Sequence, residues 1–119
     1  MKITDIDRIK SSNSEGLGDR YLILEKYPDQ IWINFFTEIH KEFFSMQKRR
    51  ARVEGNNIVV YCSMSEIQQQ INELKEQCVA TTKAVEKYNS EVEAEEKARN
   101  ERLKQERDSA NSNFNNLKF

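Results

Sequence analysis

The chain has 119 residues, 33% of them charged and 37% apolar, and a net charge of −1. That length suits one domain, and an apolar share below the roughly 45–50% of ordinary globular chains implies that part of it lies outside a packed core. Residues 1–64 carry ten Lys/Arg against nine Asp/Glu, and residues 65–110 eight against eleven, so no sustained cationic field exists of the kind a histone-like binder needs.

No apolar run approaches the ~20 residues of a membrane span, and MKITDIDRIK alternates where a signal peptide is continuously apolar. A soluble, cytoplasmic protein without membrane association is expected. Cys62 and Cys78 stand outside any zinc or disulfide-framework spacing, which predicts reduced, buried thiols. The abundance of Lys, Asn and Ile suits an AT-rich bacterial or phage genome, a statement about source and not about chemistry.

In KITDIDRIK, Ile3, Ile6 and Ile9 recur every three residues, which predicts an irregular strand. SSNSEGLGD (11–19) is a polar, glycine-bearing loop. RYLILEKY (20–27) reads as a second strand ended by Pro28, and the two form a hairpin. Pro28 and Asp29 open a helix, proline suiting the first turn and the carboxylate facing the positive end of the helix dipole. Its apolar stripe is Ile31, Trp32, Phe35, Phe36, Ile39 and Phe43, opposite a polar face of Gln30, Asn34, Thr37, Glu38, Lys41 and Glu42. Phe44 and Met46 fall just beyond the stripe as surplus apolar residues.

KRRARVE (48–54), Gly55-Asn56-Asn57 and IVVYC (58–62) form the clearest hairpin, with Ala51 and Val53 inward and Lys48, Arg50, Arg52 and Glu54 on a wet face. Ser63-Met64-Ser65-Glu66 matches a capping box and starts the last helix. Its seam, Ile67, Ile71, Leu74, Cys78, Thr81, Val85, Tyr88 and Val92, is spaced 4-3-4-3-4-3-4. No Gly or Pro follows Gly55, so the helix outlasts a domain of ordinary diameter and must project. The expected fold is α+β: ββαββα, a four-stranded, mainly antiparallel sheet with two helices on one face, the last long and projecting. Residues 1–92 form the domain, and 93–119 a charged helical extension with an apolar tail.

EAEEKARNERLKQERD (93–108) holds only Ala94, Ala98 and Leu103 as apolar residues. Continued in heptads, the seam becomes Glu95, Arg99 and Arg102, which disfavours a homodimeric coiled coil on those positions. The pairs Glu93–Lys97, Glu95–Arg99 and Lys97–Glu101 are spaced to support the helix alone. Phe114, Leu117 and Phe119 then restore apolar side chains in an asparagine-rich end.

Phosphate-loop, dinucleotide, nucleophile-elbow and zincin motifs are all missing, so nucleotide binding by those modes is not expected. His40 is the only histidine; a dyad with Cys62 or Cys78 lacks an orienting third group, and no enzyme, metal or cofactor is expected. Asp5 and Asp7 share a strand side but form only an isolated D-x-D pair. The sharpest charge feature is KRRAR (48–52), where alternating arginines offer bidentate contacts to phosphate or carboxylate. The reading is a small non-catalytic interaction protein, an accessory subunit, adaptor or inhibitor of a larger partner, with self-association open. Arg49, Arg50 and Arg52 form one contact surface, and Phe114, Leu117 and Phe119 another. The second reading is a nucleic-acid module using Lys41, Lys48, Arg50, Arg52 and Tyr61.

Overall fold

Side-chain alternation decides which way the sheet faces. In the computed structural model, which describes residues 1–119, β1 (Ile3–Ile6), β2 (Gly18–Leu24), α1 (Gln30–Glu42), β3 (Ala51–Glu54), β4 (Asn57–Cys62) and α2 (Ile67–Asn115) follow one another. A single 3₁₀ turn, Met64–Glu66, precedes α2. The four strands make one antiparallel sheet in the order β1-β2-β4-β3, so β2 and β4, from different hairpins, pair at its centre. The order β-β-α-β-β-α and the long last helix agree with the α+β expectation.

The irregularity read from KITDIDRIK is a register shift between Ile3 and Asp5 opposite β2. Leu22 and Leu24 from β2, with Ile58, Val60 and Cys62 from β4, are buried on one face. Trp32 and Phe36 from α1 and Leu74 and Cys78 from α2 complete that cluster, with Ala51, Val53, Ile67, Ile71 and Val85 packed around it. Both helices therefore cover the same face. On the other, Tyr61, Arg52 and Glu54 are exposed, while Val59 is buried between its strand neighbours.

Local chemistry sets the element ends. The Trp32 amide donates to Asp29 Oδ1 at 2.8 Å, so Asp29 is the N-cap of α1 and Pro28 lies one residue outside. The buried line of α1 is narrower than its apolar stripe: Trp32, Phe36 and His40 stack in a column (ring centroids 5.4 and 5.9 Å apart), whereas Ile31 is exposed. The edges of a broad stripe rotate away from the sheet, and the i, i+4, i+8 line at its centre keeps the contact, histidine included. Gly55 alone has a positive φ (61°) in the two-residue turn joining β3 to β4, the conformation for which glycine has no side-chain penalty.

Arg20 alternates in phase with Leu22 and Leu24 and is fully buried. No carboxylate meets it. Its guanidinium donates to the carbonyls of Ser12, Ser14 (2.7 Å) and Gly16 (2.8 Å), and Nε to that of Cys62 (3.3 Å), binding the 11–17 loop to β4. Four carbonyl dipoles supply what a counter-ion otherwise would.

The chain divides into two compact units, Met1–Val85 and Glu86–Phe119. In the second, α2 runs to Asn115 and every residue is exposed except Val92 and Ala110, which are half-buried. Glu93–Lys97, Glu95–Arg99 and Lys97–Glu101 do not close into ion pairs. Fully hydrated charges on flexible stems gain too little from pairing to be held together.

Candidate interaction surface

The segment joining α1 to β3, residues 43–50, is irregular yet fastened along its length. Its backbone leaves the helix at Phe43 (ψ 121°). Lys48 Nζ then turns back and donates to the carbonyls of His40 (2.9 Å) and Lys41 (3.2 Å), satisfying two acceptors that the helix end leaves open. Ser45 Oγ donates to Glu73 of α2. Gln70 of α2 donates to the Gln47 carbonyl (2.6 Å) and accepts the Arg49 amide (3.2 Å). His40 accepts the Ala51 amide at Nε2 (3.1 Å), and its Nδ1 lies 2.7 Å from Gln77 Oε1. That arrangement requires a neutral ring carrying its proton on Nδ1, which burial favours by lowering the pKa, against the opposing effect of the Gln77 bond.

Gln70 and Gln77 are buried on α2 between the seam positions. The heptad pattern missed them because it registers only apolar side chains, and their use here is to satisfy polar groups around an irregular segment, backbone for Gln70 and the His40 ring for Gln77. From this fastened backbone Phe44 and Met46 point into water, 90% and 96% exposed.

Beside the segment lies an open groove of ≈ 530 Å³, lined by Asp19, Lys48, Arg49, Arg50, Arg52 and Tyr61. Five residues singled out from the sequence are thus brought together; Lys41 is exposed on α1, outside the lining. The strand starts only at Ala51, so Lys48, Arg49 and Arg50 precede it and the expected alternation holds for Arg52 and Glu54 alone. Most of the cations are already engaged. Arg49 Nε binds Glu66 at 2.9 Å, and Arg52 approaches Glu54 (3.2 Å) and Asp19 (3.7 Å). Only the Arg50 side chain has no partner.

Glu66 is held by Arg49, by the Ser63 amide (3.0 Å) and by the Ser63 hydroxyl (2.7 Å), and these bring its pKa down to about 2. The start of the last helix and the groove therefore share one carboxylate. Against four cations the immediate acids are Asp19, Glu54 and Glu66, so the groove is a mixed-charge surface and not a cationic cleft.

Comparison with family models, with curated proteins and with solved structures found no match to this chain. Function has to be argued from its own side chains. Both ring nitrogens of His40 are occupied by Gln77 and Ala51, so it forms no dyad with a thiol. Cys62 and Cys78 are free and buried; burial raises the Cys62 thiol, partly offset by Arg20, and pushes Cys78 up to about 12. Asp7 accepts the Ile9 and Lys10 amides and Asp5 the Ile6 amide, so both carboxylates serve local backbone groups. No group of three or more His, Cys, Asp or Glu is arranged to hold a metal ion, and no helix is long and apolar enough to cross a membrane. In the second unit Phe114, Leu117 and Phe119 are all exposed, the last two beyond the end of α2.

Proposed function

We propose that the chain is a non-catalytic interaction module, an accessory or adaptor protein in the cytoplasm, that seats an acidic, partly apolar segment of a larger protein on residues 43–52 and Tyr61. One observation carries the reading: Phe44 and Met46 stand in water on a backbone that His40, Lys48, Gln70 and Glu73 fix in place. Two large exposed apolar side chains on the segment that also supplies Arg49 and Arg50 to the groove match the composition of protein-binding surfaces. Fixing them beforehand lowers the ordering cost of association. Arg50, the unpaired cation, is the group left to meet a carboxylate.

The test is affinity capture from the native host with the wild type and a Phe44→Ala/Met46→Ala/Arg50→Glu variant, all three positions being exposed. A partner enriched by the wild type and lost from a variant with unchanged circular dichroism is the expected result. If every captured protein is retained by the variant, the reading fails.

Nucleic-acid binding is the second reading, supported by the gathering of Lys48, Arg50, Arg52 and half-exposed Tyr61 around one groove. The acids interleaved with these cations weaken it. Oligonucleotide affinity that fell steeply with salt and vanished in Arg50→Glu/Arg52→Glu would establish it over the first.

A further inference from the structure

The second unit has an apolar line that heptad counting hides. At 3.6 residues per turn, about 100° per residue, Val92, Leu103, Ala110 and Phe114 fall within a sector of about 40°. Val92 and Phe114 each lie eleven residues from Leu103, and eleven residues make just over three whole turns, so the line runs along the helix with a drift of only about 20° per step. The heptad positions Glu95 and Arg102 sit well off it. Leu103 and Phe114 are 53% and 63% exposed, and no other part of the second unit covers them.

The charges beside this line form a self-complementary set. Arg99 and Glu106 border it on one side; on the other, Glu96 stands at its edge, at the azimuth of Phe114, and Arg107 about 20° beyond. None of the four is in an ion pair. Set two such helices face to face in parallel, and Arg99 meets Glu96 while Glu106 meets Arg107. Reverse one helix about Leu103, and Arg99 meets Glu106 while Glu96 meets Arg107. Either way opposite signs face each other and Leu103 packs on Leu103.

We propose that residues 92–114 are a self-association site whose occupant is the same helix of a second copy of this chain. An unrelated helix would have to carry the same sequence of signs; a second copy has it already. Two copies joined here would each present the surface around Phe44 and Arg50, making the protein bivalent for its partner. With only Val92, Leu103 and Phe114 as large apolar side chains on each copy the association is weak, with a Kd on the order of 100 µM.

Sedimentation equilibrium of the full chain, from about tenfold below to tenfold above that Kd, tests the proposal. The wild type is expected to pass from monomer to dimer, and Leu103→Glu, at an exposed position, to weaken dimerisation by about 100-fold with helicity unchanged. Two further variants make the charge argument specific. Arg99→Glu/Arg107→Glu leaves only acids beside the line, and Glu96→Lys/Glu106→Lys only bases. Each alone should be monomeric, and an equal mixture should dimerise. A wild type monomeric throughout overturns the proposal. So does a dimer indifferent to Leu103→Glu, or a mixture that stays monomeric while the wild type dimerises.

Discussion

One helix, α2, serves two units under opposite conditions. Between Ile67 and Val85 its apolar line is roofed by the sheet and α1: Leu74, Cys78 and Thr81 are buried, and even Gln70 and Gln77 are excluded from water. Between Glu86 and Asn115 a second apolar line meets solvent along most of its length. Helical conformation and burial are thus separable. In the second stretch Glu, Lys, Arg and Ala, all strong helix formers, sustain the helix without tertiary contacts. In the first, burial tolerates the β-branched Thr81 and the polar glutamines because each finds a partner.

The most demanding test of this contrast truncates one large side chain on each side of it. Phe36→Ala empties the middle of the Trp32–Phe36–His40 column and should cost about 3–5 kcal/mol in urea unfolding, a large share of the stability of so small a domain. Leu103→Ala, at concentrations where the chain is monomeric, should change stability by less than about 0.5 kcal/mol. Comparable losses at the two positions would mean that the second unit has a packed environment after all.

Next in size is Arg20. Arg20→Met keeps much of the volume and removes the donors, leaving the carbonyls of Ser12, Ser14, Gly16 and Cys62 without them. A loss of about 2–3 kcal/mol is expected. Faster amide exchange and proteolysis should be confined first to residues 11–17. Should that loop stay as protected as in the wild type, the guanidinium is not what holds it.

The fold is legible in the sequence wherever a local rule operates. Alternation marks Leu22, Leu24, Ile58 and Val60 as core, Gly55 marks the turn, and Ser63 with Glu66 marks the start of the last helix. Strand order is not legible, because the pairing of β2 with β4 joins residues some forty positions apart and no local rule selects it. Arg20 has a readable signal, its parity with Leu22 and Leu24, but charge argues against burial, and the loop carbonyls that offset the cost of burying it come from another segment. The basic run is visible as charge, and Lys48, Arg49, Arg50, Arg52 and Tyr61 do line one groove. What tempers it, Glu66 on Arg49 and Asp19 on Arg52, is remote in sequence.

An effect smaller than the losses at Phe36 and Arg20 is also the most selective for the segment that carries Phe44 and Met46. His40 must be neutral to accept the Ala51 amide, and its pKa in the folded chain lies below the ordinary 6.5, with burial the first cause and the Lys48 ammonium adding to it, while Gln77, a backbone bond at Arg49 and the Glu73 carboxylate oppose. The unfolded chain therefore binds this proton more readily. Stability should be level above about pH 7 and fall as the pH drops through about 6.5, by no more than about 1.4 kcal/mol per pH unit. Glu66 does not confuse the window: with its pKa lowered to about 2, its contribution is present above 4.5 and is lost only below that. Urea unfolding at about pH 7.5, 6.5 and 5.5 should show the decline in the wild type, and His40→Gln, which removes the only histidine, should lose it over the same range. An equal slope in both chains would place the titrating group elsewhere and leave the segment's fastening independent of His40.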